Sequence, residues 1–275
     1  MLLAPCQPLC YSLIVETKKD APILKVSGED VAGTIDVVAV ELPIRLVLNT
    51  SQLVTLLCTP TELEELAIGF LLSEGLLRNR TAIQRLEIIE KELTVKIELS
   101  DLPADWGKLF EKRTISSGCG KGITFTSNQL TSADQIRVDR TMITLAGIRR
   151  LLTDFRTLSK LYLETGGVHS AALSDGNSIL FFSEDIGRHN AVDKLIGKSY
   201  LRSVPVEDKM LLTSGRVSSE IVAKAGRNRI PLLISRAAPT CMAISLAEDL
   251  GITLVGFARG DRMNIYTWPN RIALK

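Results

Sequence analysis

Beyond residue 168, short apolar runs alternate with segments whose apolar residues recur at helical spacing, and this alternation limits the possible folds more than any other feature. The apolar runs are "VHSAAL", "SILFF", "KMLLTS", "IPLLIS" and "ITLVGF", and the helical segments fall near residues 190–200, 217–227 and 240–250. Strands that alternate with helices in this way form βαβ units. The sequence therefore predicts a largely parallel sheet, sandwiched between helices, in the second half of the chain.

The first half of the chain predicts an α+β arrangement. Residues 33–49 contain two β-branched runs around a proline and predict two strands with a break, and residues 83–99 predict a hairpin. Between them, "TELEELAIGFLLSEG" (61–75) predicts a helix with one apolar face, and Thr61 and Glu64 have the spacing of a capping box.

A long helix is predicted over residues 144–163, closed by Gly166 and Gly167. The 275 residues suffice for two modest domains. We expect a smaller α+β domain over residues 1–130 that carries a cysteine loop at its end, and an α/β domain over residues 131–275. The predicted fold class is therefore α/β with a smaller α+β domain at the N-terminus.

Charge and hydropathy make several classes of function improbable. The net charge of +2 gives no global attraction to nucleic acid or to an anionic membrane, so an anion site must come from locally clustered arginines. No apolar run approaches the roughly 18 to 20 residues that cross a bilayer. The start, "MLLAPCQPLC", lacks the basic region of a signal peptide and is interrupted by prolines. We expect a cytoplasmic protein that binds neither nucleic acid nor membrane.

The five cysteines are scattered along a chain without a secretory signal, so no disulfide framework is expected. Cys6 and Cys10 lack a second pair that would complete a tetrahedral metal site, and a mobile tail explains them better. Cys58 follows "LVTLL" and Cys241 opens an amphipathic helix, so both are predicted to be small core residues. Cys119 is different, because "TISSGCGKG" surrounds it with glycine and serine. The residues alone do not decide whether Cys119 is a nucleophile, a metal ligand, a disulfide partner or a residue without a function.

Three of the late strands end in small or basic residues, in the motifs "TSGR", "ISRAAPT" and "GFARGDR". In an open α/β sheet, ligands bind beyond the carboxyl ends of the strands. Arginines there suit phosphate, because the planar guanidinium group makes bidentate hydrogen bonds. The alternative is that each arginine caps a loop or pairs with a carboxylate such as that of Asp261. The four arginines predicted to gather at this edge are Arg216, Arg236, Arg259 and Arg262.

The chain has two histidines, His169 after "TGG" and His189 within "SEDIGRHNAVDKLIG". Two histidines in separate segments do not make a metal site. A structural or ligand-orienting role explains His189 as well as a role in proton transfer does. The segments "VHSA" and "APTCMA" faintly resemble the signature of zinc deaminases. However, Ala171 occupies the position of the general-acid glutamate, and Cys241 has no second cysteine beside it.

Six segments resemble, in their order from about residue 30 to the C-terminus, the formate dehydrogenase accessory sulfurtransferase family, the FdhD type of sulfur carrier. They are "TPTELEELAIGFLLSEG", "TGGVHSAAL", "SEDIGRHNAVDKLIG", "SGR", "APT" and "TLVGFARGDRMNIYTWPNRI". The resemblance implies that the C-terminal domain is a three-layer sheet domain similar to cytidine deaminase, which would explain the faint deaminase pattern.

The resemblance also implies a function. A member of this family accepts a persulfide from a cysteine desulfurase and passes sulfur to the molybdenum bis(molybdopterin guanine dinucleotide) cofactor before its insertion into formate dehydrogenase. The cofactor would be a bound substrate, with no metal held by protein side chains alone, and the resemblance suggests a homodimer. The alternatives are a cofactor-binding chaperone that moves no sulfur and a zinc-dependent, deaminase-like enzyme.

The resemblance assigns the site as well. Cys119 becomes the nucleophile, because a persulfide carrier needs an exposed, mobile loop and a thiolate, which the nearby Lys121 would favour. Many family members carry C-G-x-C-G in this loop, whereas "GCGKG" has one cysteine, so we expect a single persulfide on Cys119 in place of a relay between two cysteines. The expected cofactor contacts are Phe257, Ala258, Arg259, Gly260, Asp261 and Arg262, together with Arg216, Arg236 and His189.

Overall fold

The computed structural model describes residues 16–77, 80–102, 113–115, 123–125, 135–137, 140 and 142–274. Its α-helices are α1 (Leu63–Ser73), α2 (Leu145–Leu158), α3 (Lys160–Thr165), α4 (Arg188–Leu201), α5 (Ser219–Arg227) and α6 (Cys241–Asp249). Among the described residues, no helix is both long enough and apolar enough to span a bilayer.

The N-terminal part is built on a four-stranded sheet beside a separate hairpin. Its strands are β1 (Lys18–Ser27), β2 (Asp30–Ala39), β3 (Leu42–Leu48), β4 (Ser51–Cys58), β5 (Ile83–Ile89) and β6 (Thr94–Leu99). Strands β1 and β2 pair as a hairpin, and the sheet has the order β4-β3-β6-β5. The two strands predicted over residues 33–49 and the hairpin over residues 83–99 are confirmed.

Two short strands, β7 (Arg113–Ile115) and β8 (Ile123–Phe125), pair in an antiparallel way. The segment that joins them in the chain carries Cys119 and Lys121, and both residues lie outside the described residues, as do Cys6 and Cys10. The predicted domain boundary near residue 130 also falls outside them and stays a prediction.

The C-terminal part is built on a six-stranded sheet of order β11-β10-β12-β13-β14-β15. The strands that follow β8 are β9 (Ile143–Thr144), β10 (His169–Ser174), β11 (Ile179–Asp185), β12 (Met210–Thr213), β13 (Leu232–Ser235), β14 (Thr253–Arg259), β15 (Arg262–Thr267) and β16 (Ile272–Ala273). Strands β9 and β16 pair with each other.

The prediction of a largely parallel sheet is wrong, because only the neighbouring pairs β12–β13 and β13–β14 are parallel and the other three pairs are antiparallel. Strands β10 and β11 are joined by residues 175–178, and β14 and β15 by the turn at Gly260 and Asp261. Connections this short close antiparallel hairpins, whereas a parallel pair needs a crossover of a dozen or more residues. The mixed sheet therefore follows from two tight turns that the apolar runs did not reveal.

Helices cover both faces of this sheet. Successive side chains of a strand point to opposite faces. Leu211, Leu233 and Leu254 accordingly belong to the core with α4, α5 and α6. Leu212 and Ile234 belong to the core with α2 on the other face. The C-terminal part is thus a three-layer α/β structure, as the sequence predicted.

Helix α1 packs against α4 at a crossing of two glycines. A Cβ atom built on Gly69 would lie 1.7 Å from the carbonyl oxygen of Asp193, and one built on Gly197 would lie 1.9 Å from that of Glu65. All residues from Leu66 to Leu71 are buried. The sequence predicted one apolar face for α1, but the helix is buried on more than one side, because it lies between the four-stranded sheet and α4.

The predicted capping box of α1 is wrong as well. The helix begins after Glu62, which has a left-handed φ of 54°, and no side chain caps its first turn. Thr61 instead accepts a hydrogen bond from Lys194 Nζ at 3.3 Å, and Glu62 pairs with Lys198. Both lysines belong to α4, so tertiary contacts between the two helices replace the local cap.

The long helix predicted before Gly166 is two helices, α2 and α3, with Ser159 between them. The amides of Leu161 and Tyr162, at the start of α3, donate to the two carboxylate oxygens of Glu184, each at 3.0 Å. A carboxylate that caps a helix N-terminus is stabilising, so Glu184 favours a new helix start here. Gly166, with φ of 63°, ends α3 as predicted.

Candidate functional site

A cleft of about 430 Å³ lies at the sheet edge where β12, β13 and β14 end. This volume falls within the range of roughly 300 to 1,000 Å³ that is usual for small-molecule sites. Polar and basic side chains make up much of the wall. The cleft is lined by Ser159, Tyr162, Gly166, Gly167, Val168, His169, Ser170, Ile186, Ser214, Arg236 and Arg259.

The arginines predicted at this edge are partly brought together. Arg236 and Arg259 line the cleft, and Arg259 Nε donates to the carbonyl oxygen of Arg236 at 2.9 Å. Arg216 lies close enough to the cleft histidine to affect its pKa. Arg262 is the cross-strand neighbour of Arg259 and is not part of the cleft wall.

These arginines have no carboxylate partner within the described part of the chain. Asp261, the partner that the sequence offered as an alternative, pairs instead with Arg149 of α2, whose Nε lies 2.9 Å from Oδ1. The edge therefore carries positive charge that the described chain does not neutralise, which suits an anionic ligand.

The remaining residues of "FARGDR" lie at the end of β14 and in the turn that joins it to β15. Phe257 is exposed, with φ of 51°, and its amide donates to Ala237. Ala258 has no exposed surface and packs in the core beneath α2. Neither its side chain nor its backbone is therefore open to a ligand in the cleft. Gly260 forms the exposed turn with Asp261.

The histidine that lines the cleft is His169, whose role the sequence left undecided. Its Nδ1 lies 3.4 Å from Ser214 Oγ, and that oxygen accepts a hydrogen bond from the Ser170 amide at 2.9 Å. Burial lowers the pKa of His169, and the charges of Arg188, His189 and Arg216 lower it further. These effects favour the neutral imidazole over the imidazolium.

His189, which the sequence assigned to the cofactor site, is not part of the cleft wall. It lies in the first turn of α4, and its Nε2 is 2.9 Å from Glu220 Oε2 on α5. The contact makes His189 a link between two helices. Its proximity is one of the causes that lower the pKa of His169.

A buried ion pair fixes the segment from which α4 begins. Lys194 Nζ lies 2.7 Å from Asp185 Oδ2, and neither side chain is exposed. Asp185 also accepts hydrogen bonds from the amides of Thr59 and Gly187 and from the side chain of Asn190. Burial raises the pKa of Asp185, and Lys194 opposes that shift. A buried pair is tolerated when its remaining polar atoms are bonded, and here those bonds join both halves of the chain.

The sequence did not identify Ser159, Ser170 or Ser214 as site residues. They come from three separate segments. Ser170 and Ser214 meet because β10 lies antiparallel to β12, and the Ser159 hydroxyl lies 3.0 Å from that of Ser170. Serine is common at turns and strand ends. The only sequence signal was that Ser170 lies in the motif "TGGVHSAAL" and Ser214 in the motif "TSGR".

The two described cysteines differ in their environments. Cys58 is fully buried, which confirms its predicted place in the core, and burial followed by the charge of Asp185 raises its pKa to about 12. Cys241 is exposed, so its predicted core position is wrong. It opens α6, whose buried face is formed by Ala243 and Ala247. Within the described residues, no group of three or more His, Cys, Asp or Glu side chains could hold a metal ion.

These environments predict different reactivities. Iodoacetamide should alkylate Cys241 in the folded protein at neutral pH and leave Cys58 unmodified, because the thiolate is the reactive form and Cys58 is buried as a thiol. Peptide mass spectrometry after a timed reaction would measure both. In denaturant the two cysteines should react at the same rate. If Cys58 is alkylated as fast as Cys241 in the folded protein, Cys58 is not buried.

Comparisons with known proteins agree with this architecture. The model of the FdhD/NarQ family matches residues 39–273. Proteins named sulfur carrier protein FdhD from Bacillus licheniformis and Bacillus subtilis are each 42% identical over 237 residues, which cover 86% of this chain and 90% of the relative. The protein of that name from Staphylococcus aureus strain MRSA252 is 39% identical over 251 residues, 91% of this chain and 95% of the relative.

A solved structure is similar as well. The crystal structure of a candidate formate dehydrogenase accessory protein from Desulfotalea psychrophila superposes with a TM-score of 0.75. The match covers 94% of this chain and 100% of that one, at 24% sequence identity. This likeness shows that the two chains share their fold.

Proposed function

The chain belongs to the FdhD/NarQ family, and on that premise we propose that it carries sulfur on Cys119 and delivers it to the molybdenum bis(molybdopterin guanine dinucleotide) cofactor of formate dehydrogenase. The observation that carries the proposal is the cleft at the ends of β12 to β14. Its arginines have no carboxylate partners among the described residues, so the cleft offers charge to a phosphate-bearing substrate. The names of the relatives support the sulfur-carrying half.

Two sulfur transfers make up the proposed reaction. The thiolate of Cys119 attacks the terminal sulfur of a persulfide on a cysteine desulfurase, so that one S–S bond forms on Cys119 as another breaks and the desulfurase regains its thiolate. The outer sulfur of Cys119 then passes to the cofactor and the thiolate returns. Delivery of that sulfur as sulfide consumes two electrons, which two thiols would supply as they are oxidised to a disulfide. Both transfers take place in the cytoplasm.

The cleft would hold the cofactor as a substrate through its guanine dinucleotide end. Each such arm carries a pyrophosphate, whose charge Arg216, Arg236 and Arg259 would offset. A volume of about 430 Å³ suits one arm rather than the whole cofactor. A homodimer with one cleft in each protomer would offer a site to each of the two arms, which supports the proposed oligomer.

A chaperone that binds the cofactor without moving sulfur is the second candidate, because it would need the same cleft. The two functions differ in their need for Cys119. In cells that lack their own family member, this chain should restore formate dehydrogenase activity, and Cys119→Ala should restore less than about one hundredth of it because the nucleophile is gone. Equal activity with both proteins, measured at equal protein levels, would favour the chaperone.

Binding of GDP tests the cleft itself. Arg259→Ala should weaken GDP binding by about 1.5 to 3 kcal/mol, the usual scale for a charge-assisted hydrogen bond. Arg85→Ala is a matched control, since Arg85 pairs with Glu87 on the N-terminal sheet and the variant loses the same charge. Calorimetric titration should show weaker binding to the wild type as salt rises. Equal affinities of the Arg259 and Arg85 variants would remove this cleft from the site.

A further inference from the structure

His169 occupies a particular hydrogen-bonding position in the cleft. Within the described chain, the Ser214 hydroxyl has two partners, the Ser170 amide at 2.9 Å and His169 Nδ1 at 3.4 Å. The amide can only donate, so it occupies a lone pair of the oxygen. The serine proton then has His169 Nδ1 as its acceptor. If Nδ1 were itself protonated, the hydroxyl would receive two donors and its own proton would have no acceptor there.

This arrangement selects one tautomer of the neutral ring. With Nδ1 as acceptor, the ring proton resides on Nε2. Gly215 permits the close packing behind the ring, because a Cβ atom at this position would lie 2.9 Å from Arg188 Cβ and 3.4 Å from His169 Nδ1. His169 lines the cleft, so a ligand that reaches Nε2 would meet a hydrogen-bond donor.

The charges around the ring are almost all positive. Arg188 and His189 belong to α4, Arg216 follows β12, and all three lower the pKa of His169 after the larger effect of burial. One carboxylate, that of Asp185 at the end of β11, acts in the opposite sense and is already paired with Lys194. The other titratable side chains of the cleft wall are Tyr162, Arg236 and Arg259.

We propose that His169 is a ligand-binding residue of this cleft, which is neutral and protonated at Nε2 without ligand and takes up a proton when a pyrophosphate group binds. Ser214 is the positioning residue that sets its tautomer. The inference rests on the proposed function for the identity of the ligand. The tautomer does not depend on that function.

The charges around His169 explain why ligand binding should add a proton rather than release one. Without ligand, the fold disfavours the imidazolium, so the pKa lies below its ordinary value. A bound pyrophosphate offsets the positive charges of the arginines and accepts a hydrogen bond from the ring, and both effects favour the imidazolium. Binding and protonation then assist each other, so affinity should rise as the pH falls through the histidine range, about 8 to 5.

The tautomer can be measured by long-range ¹⁵N–¹H NMR of the ligand-free protein. The chain has only two histidines, so His189→Gln assigns the signals. We expect the Nε2-protonated form for His169, and a mixture of tautomers in Ser214→Ala. Ser218→Ala is the matched control, because that hydroxyl lies 3.5 Å from the other histidine, His189. An Nδ1-protonated ring, or a Ser214 variant identical to wild type, would overturn the role of Ser214.

Proton uptake requires a probe that does not titrate itself. Diguanosine pyrophosphate suits this purpose, because each of its phosphates has one ester and one anhydride linkage and keeps only a strongly acidic site, whereas the terminal phosphate of GDP gains a proton in the same range. Calorimetry in buffers of different ionisation enthalpy should show uptake of up to one proton by wild type near pH 6.5 and none by His169→Gln. The wild-type affinity should rise at least about threefold from pH 8 to pH 6.

The possible failures are distinguishable. If the probe binds to wild type without proton uptake, or if His169→Gln retains the uptake, the inference about His169 is wrong while the cleft remains a nucleotide site. If the probe does not bind at any pH, the proposed cofactor cleft is wrong and the coupling fails with it. Rescue by His169→Asn is not expected, since an amide provides a donor but cannot take up a proton.

Discussion

Replacing Gly197 with alanine should destabilise the folded protein by about 3 kcal/mol, at the upper end of the usual cost of overpacking. The added Cβ atom would lie 1.9 Å from the carbonyl oxygen of Glu65 and 2.8 Å from the amide nitrogen of Gly69. Both atoms belong to the backbone of α1, so no side chain can turn aside to make room. The two helices would have to separate, and the core around α1 would lose its packing.

Gly33→Ala is the matched control for this prediction, because a Cβ atom at Gly33 meets nothing within 4 Å. Urea unfolding should show a much lower midpoint for Gly197→Ala and little change for Gly33→Ala. Gly69→Ala should behave like Gly197→Ala, since its Cβ atom would meet Asp193. If all three variants unfold at the same urea concentration as wild type, α1 and α4 do not cross at these glycines.

The sequence predicted those helices and strands whose apolar patterns are strong. Helices α4, α5 and α6 and strands β10 to β14 were predicted close to their observed positions, because each combines an apolar run with a recognisable end. The glycine crossing was not predicted. Gly69 and Gly197 have no side chain to contribute to an apolar pattern, and their role appears only when two helices pack together. The exposure of Cys241 was missed because an amphipathic helix buries one face only.

The candidate site was predicted in part for a physical reason. Arg236 and Arg259 follow neighbouring parallel strands, and the rule for strand ends places both at one edge. His169 begins β10, which runs antiparallel to β12, so the start of one strand lies beside the end of the other. The sequence does not give the order of strands, and it therefore favoured His189 over His169. Contacts of this kind are properties of topology rather than of local pattern.

Loss of Cys119 should have the largest effect on function, because every transfer in the proposed reaction passes through its sulfur. Cys58 is buried as a thiol and cannot substitute for it. Cys241 is exposed, so it is the described cysteine best placed to compete for sulfur. A variant that retains Cys119 as its only cysteine tests whether Cys119 carries sulfur without the other four cysteines. It carries alanine in place of Cys6, Cys10, Cys58 and Cys241.

Mass spectrometry of the intact protein, after incubation with a cysteine desulfurase and cysteine, tests the sulfur-carrier function most directly. Wild type and the variant with Cys119 as its only cysteine should each gain one sulfur, about 32 Da, which a reducing thiol removes. Cys119→Ala should gain none under the same conditions. Equal sulfur loading of Cys119→Ala and wild type would contradict the assignment of Cys119 as the carrier.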